Sequence, residues 1–170
     1  AEVIRSTWNS TTNQFVLNRG TVHGVKLGQG LLQNNRVVGR VIEASENYAL
    51  ALPIINSNME WSVRIGSTGP VARLVWKGVD VTRAVVYDVP RSAIISAGDS
   101  VLSSGFQGCF PSGLLVGSVA DEAPEFDGQF LNVPVDLAAD FRAIRYVQIA
   151  ATPGQPEIEA LTNGIGQPSP

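Results

Sequence analysis

Apolar and polar positions alternate with a period of two along much of this chain. In Trp61-Ser62-Val63-Arg64-Ile65 the polar face is Ser62 and Arg64, and further on Leu131, Val133, Val135 and Leu137 share one face opposite Asn132, Pro134 and Asp136. A period of two is the signature of a half-buried strand. Residues 1–18 alternate as well and predict one or two strands. Gly30–Gln33 and Arg36–Glu43 predict a hairpin around Asn34-Asn35, because asparagine tolerates the positive φ of a two-residue turn. Tyr48–Ile55 predicts a strand with Pro53 at an edge or an end, since proline cannot donate to a ladder. Val71–Trp76 and Val79–Tyr87 flank Lys77-Gly78 as a second hairpin. Asp88-Val89-Pro90-Arg91 reads as a break, Asp121–Gly128 as an acidic loop, Asp140–Arg145 as a short turn and Tyr146–Ile149 as a last strand. From 151 to 170, prolines and glycines with few large apolar groups offer too little burial to offset ordering entropy, so this tail is expected to be disordered.

The stretch Val101–Val119 organises the rest. Apolar flanks enclose a loop, Ser103-Ser104-Gly105-Phe106-Gln107-Gly108-Cys109-Phe110-Pro111-Ser112-Gly113, rich in glycine yet unusually apolar. It predicts a hairpin whose tip either plugs a small barrel or faces a partner, which makes Phe106, Phe110 and Pro111 candidate partner contacts. A weak internal repeat accompanies it. Gly28-Gln29-Gly30-Leu31-Leu32 with Val38-Gly39-Arg40-Val41 parallels Gly98-Asp99-Ser100-Val101-Leu102 with Val116-Gly117-Ser118-Val119. Two copies of one β unit imply an all-β fold of two small packed barrels, 1–56 and 57–150, with the strand at 144–150 free to return to the first. Barrels this small are marginal alone, so an apolar interface between them is expected.

These residues also carry a resemblance. Ser103-Ser104-Gly105-Phe106, Phe110-Pro111-Ser112-Gly113 and Val116-Gly117-Ser118-Val119, preceded by Asn18, Gly20, Gly24, Val25 and Gly28, resemble in order the signature segments of the MreC family. Leu31 stands where that family usually has Val. Gly20, Gly24, Gly28, Gly105, Gly113 and Gly117 of these segments, with Gly39 and Gly98 of the internal repeat, are read as fold-defining glycines. The resemblance implies a chymotrypsin-like pair of barrels without a working triad, on the periplasmic face of the inner membrane. It implies a non-enzymatic scaffold of lateral cell-wall elongation that maintains cell shape. Its implied partners are a class B penicillin-binding protein, MreD, MreB and further copies of itself as a dimer or filament. A membrane helix and a coiled coil would precede the β region.

Bulk properties narrow the alternatives. The chain has 170 residues, and its net charge of −3 is spread without a basic stripe, which argues against nucleic acid. No run approaches the roughly 20 apolar residues that span a bilayer. One cysteine forbids an internal disulfide, and a single His with a single Cys makes no N/S zinc site, so no metal or cofactor is expected.

Two other classes of function remain in view. Gly98-Asp99-Ser100, with His23 and Asp80, follows the order His, Asp, Ser of a serine protease. Against it, Ser100 runs straight into an apolar strand and His23 sits in a glycine-rich turn. An envelope glycan-binding module would need exposed indole faces, whereas Trp61 and Trp76 read as core or inter-barrel packing and Trp8 fits either role. Cys109, with no cation beside it in sequence, reads as a small buried hydrophobe.

Overall fold

The computed structural model describes residues 1–7, 11–106, 108–150, 157, 160 and 161. Trp8 and almost all of the tail from 151 to 170 therefore lie outside the described residues. The strands are β1 (Val3–Thr7), β2 (Gln14–Leu17), β3 (Gly30–Gln33), β4 (Arg36–Ala44), β5 (Ala49–Pro53), β6 (Glu60–Ile65), β7 (Val71–Val75), β8 (Arg83–Pro90), β9 (Ser100–Ser103), β10 (Leu115–Val119), β11 (Glu125–Asp127), β12 (Phe130–Leu137) and β13 (Gln148–Ile149). Among the described residues no helix is long and apolar enough to cross a membrane.

Pairing closes two antiparallel rings. One runs β6-β7-β8-β12-β10-β9 and back to β6. The other runs β1-β2-β5-β4-β3-β13. It closes where Glu2 bridges Tyr146 and the Val3 amide donates to the Arg145 carbonyl at 2.8 Å. The rings meet at one parallel register pair, Leu115 with Arg36. The all-β, two-barrel expectation is borne out, and one continuous apolar cluster runs through both barrels. Closure removes sheet edges that would otherwise invite pairing with other chains.

Alternation decides which side chains fill each ring. Trp61 and Val63 of β6, Ala72 and Leu74 of β7, and Leu131, Val133 and Val135 of β12 are buried, while their neighbours are not. The Asn34-Asn35 turn has φ of 50° and 62°, the left-handed pair that joins β3 to β4.

The repeat is real at the level of single hydrogen bonds. Leu31 pairs with Gly39 as Val101 pairs with Gly117, and each ladder slips at the next residue, before Leu32 and Leu102. The Gly28 amide donates to the Val41 carbonyl at 2.9 Å, as the Gly98 amide does to Val119 at 2.8 Å. Gly39 and Gly117 have a common reason. A Cβ on Gly39 would overlap the Leu52 carbonyl, and one on Gly117 the Asp136 carbonyl, because β5 and β12 cross the two hairpins at the same place.

Three expectations need correction. The Lys77-Gly78 connection is no tight hairpin, since β8 begins only at Arg83. The Asp80 carboxylate accepts from the Thr82 amide at 2.8 Å and holds an Asx turn, and Val79 is left 88% exposed. Residues 88–90 are not a break, because β8 runs through them with Asp88 at φ 65°. The acidic loop contains β11, which adds to the end of β12 beyond the reach of β10.

Candidate interaction surfaces

The loop joining β9 to β10 is shaped by its serines. The Ser103 hydroxyl donates to the Pro111 carbonyl at 2.7 Å and accepts from the Leu114 amide at 3.0 Å, drawing the ends of the loop together. The Ser104 hydroxyl lies 2.6 Å from that of Ser62 on β6, so the loop is tied to the wall of its own ring.

The tip then divides. Phe110 is 5% exposed; its ring lies against Gly30 of β3, where a Cβ would collide with it, and 6.2 Å from the Trp61 ring at a 47° tilt. The Gly30 amide donates to the Cys109 carbonyl at 3.1 Å. Phe110 is therefore a wedge between the barrels and not a partner contact, because the other ring already covers it. Phe106 is 73% exposed, with the Arg64 guanidinium 5.7 Å from its ring centre, and Pro111 is exposed as well. Beside them a groove of about 400 Å³ is lined by Arg64, Ser67, Leu102, Ser104 and Ser112. Cys109 is buried, and burial pushes its thiol above the ordinary value while Arg40 opposes the shift more weakly.

The eight singled-out glycines serve backbone geometry. Gly24, Gly28, Gly98, Gly105 and Gly113 stand at positive φ, and a Cβ on Gly20, Gly39 or Gly117 would strike backbone.

The protease constellation is not assembled. Ser100 lines a cavity of about 730 Å³ at the mouth of the second ring, together with Asp99, Ile94, Ile95 and Val89, and neither His23 nor Asp80 reaches it. The His23 Nδ1 accepts from the Gly20 amide at 3.1 Å inside a 3₁₀ turn at Thr21–His23. The Asp80 carboxylate is held below its usual range, chiefly by its hydrogen bonds to Thr82. Trp61 and Trp76 are buried, and the Trp76 indole donates to the Asp80 carbonyl at 2.7 Å, so neither offers a face to a sugar. Among the described residues no three His, Cys, Asp or Glu side chains could hold a metal ion.

Sequence reading missed the most exposed aromatic after Phe106 among the described residues. Phe126 of β11 is 70% exposed, with the Arg91 guanidinium 4.8 Å from its ring centre. An aromatic residue in the middle of an acidic stretch was the available signal.

Fold and surface together define a class: a double β-barrel module that, among the described residues, presents exposed aromatic rings at a loop tip and on a short edge strand and no pocket of converging reactive groups. Comparison with known proteins makes the class specific. Residues 3–151 match the family model described as rod shape-determining protein MreC, barrel core, and the chain belongs to that family. It is 28% identical over 148 residues to the cell shape-determining protein MreC of Haemophilus influenzae, covering 86% of this chain and 42% of that protein. It is 23% identical over 147 residues to the Escherichia coli protein of the same name, covering 86% and 40%. The chain thus spans about two fifths of the curated relatives it matches. Among solved structures, MreC from Pseudomonas aeruginosa superposes with a TM-score of 0.78 at 27% identity, covering 88% of this chain and 96% of that one. The fold is shared, with a TM-score of 0.65 at 21% identity and coverage of 88% and 96%, with a complex between penicillin-binding protein PBP2 and MreC from Helicobacter pylori.

Proposed function

We propose that this chain is the barrel core of a non-enzymatic scaffold that maintains cell shape by gathering the machinery of lateral cell-wall elongation. The observation that carries the reading is the family match across residues 3–151, which takes in both closed rings. The module would stand on the periplasmic face of the inner membrane, held there by a single-pass anchor outside the barrels. Its direct partner would be a class B penicillin-binding transpeptidase, in keeping with the Helicobacter pylori complex of PBP2 and MreC. Contacts with MreD and MreB would run through segments outside the barrels, and self-association would multiply the sites. A scaffold of this kind acts by binding one conformation of the transpeptidase more tightly than another, since equal affinity for both shifts nothing. Phe106, Pro111 and the adjoining serine-lined groove supply an apolar anchor with a polar rim, which is how contact surfaces are commonly built.

Calorimetric titration against the extracytoplasmic part of the cognate transpeptidase tests this, with concentrations up to about 100 μM to reach the micromolar regime near −8 kcal/mol. Saturable binding that Phe106→Asp weakens, with thermal unfolding unchanged, supports both the scaffold and this surface. Saturable binding indifferent to Phe106→Asp removes the surface and keeps the scaffold. No binding by heat or by a second method removes the direct transpeptidase contact.

A further inference from the structure

The repeat extends beyond the two hairpins, and its continuation exposes an exchange between the barrels. From β5 onward the correspondence is constant. Gly39 pairs with Pro53 and Val41 with Ala51 as Gly117 pairs with Leu137 and Val119 with Val135. Carried forward, the same spacing sets β6 against β13. Arg64 and Ile65 pair with Leu102 and Val101, and Gln148 and Ile149 pair with Leu32 and Leu31. Beyond each strand the match continues: the Gly66 amide donates to the Ser100 carbonyl and the Ala150 amide to the Gly30 carbonyl, both at 2.7 Å.

Yet β6, the last strand of the first repeat, closes the second ring, and β13, the last strand of the second repeat, closes the first. Each barrel takes five strands from its own repeat and its sixth from the other.

The two exchanged strands differ in the side chains that anchor them. β6 has five register pairs with β7 and three with β9, and it buries Trp61 and Val63. β13 has two register pairs with β3, and toward β1 the segment has the bridge of Tyr146 with Glu2, the Val3 amide on the Arg145 carbonyl at 2.8 Å, and a reciprocal exchange in which the Ala1 nitrogen donates to the Val147 carbonyl at 2.8 Å and the Val147 amide to the Ala1 carbonyl at 2.9 Å. The position equivalent to Val63 is Val147, which is buried in the same way, but the position equivalent to Trp61 is Arg145, whose side chain is 73% exposed. The seam has kept the small buried residue and lacks the aromatic anchor.

We infer that the segment 145–150 is a releasable clasp: it detaches as a unit from β1 and β3, opening the first barrel while the second stays closed. Regions with few buried apolar contacts are those that open below the global unfolding free energy. An open seam bares the backbone edges of β1 and β3, the kind of edge to which an added strand can pair.

Native-state hydrogen exchange on the full chain tests the clasp, because the repeat supplies an internal control. The amides of Val3, Val147 and Ala150 donate across the seam, and Gly66 occupies the place of Ala150 in the other ring. The three seam amides are expected to share one protection factor, at least about a hundredfold below that of Gly66. Val147→Ala should lower protection at those three further and leave Gly66 unchanged, whereas Val63→Ala should lower protection throughout. Equal protection at Ala150 and Gly66 overturns the inference. So does weak protection at Ala150 with Val3 and Val147 as protected as Gly66, which is fraying of one residue and not a clasp.

Discussion

The Phe110 wedge yields the sharpest mutational prediction. Replacing a buried phenylalanine by alanine costs about 3–5 kcal/mol, the value depending on how far the site collapses. Collapse is restricted here. The wall facing the ring is Gly30, which has no side chain to move into the gap, and its amide is fixed on the Cys109 carbonyl at 3.1 Å. On another side the Trp61 ring is held within a paired strand. Phe110→Ala therefore belongs in the upper half of the range, about 4 kcal/mol. Against a total of about 5–15 kcal/mol for a native protein this is a large loss. For a domain of this size it corresponds to a melting temperature lower by about 8–16 °C. The assay is thermal unfolding followed by circular dichroism, with Phe106→Ala beside it. Phe106 is exposed, so its truncation should cost no more than about 0.5 kcal/mol. A loss below about 3 °C for Phe110→Ala, or a larger loss for Phe106→Ala, would refute the division of the tip into a buried wedge and a free ring.

Further outcomes follow from the same geometry. Gly39→Ala and Gly117→Ala should each destabilise by about 2 kcal/mol or more, and by similar amounts, because each Cβ meets the carbonyl of the crossing strand at equivalent places. Gly24→Ala, at φ 82° with open space around it, should cost only about 1 kcal/mol in chemical denaturation. Cys109 should resist alkylation in the native protein and react on unfolding, since burial raises its pKa and keeps the thiol protonated. The folded pKa is the higher one, so the associated stability is complete below the unfolded thiol pKa, near 9.0, and is lost as pH rises from there through the folded value. Denaturation midpoints should accordingly fall more steeply above pH 9 for the wild type than for Cys109→Ala.

What could be read from the chain itself was what depends on local spacing. Period-two alternation marked β6 and β12, Asn34-Asn35 marked a left-handed turn, and the paired Val-Gly-x-Val segments marked a duplicated hairpin. Strand type, turn chemistry and repetition are written in neighbouring residues, so they survive without tertiary context. Three matters lay outside that reach. Phe106 and Phe110 stand four residues apart in one glycine-rich loop, and only the approach of Gly30 from the other barrel buries one and leaves the other in solvent. The start of β8 was displaced by an Asx turn whose hydrogen bonds outweighed the propensity of Val79 and Val81. The destination of the final strand was decided by long-range pairing, since β13 joins β3 and β1 from the far end of the chain. Residues that alternate correctly specify that they belong in some sheet; which edge they close is set by whichever ring still lacks a strand.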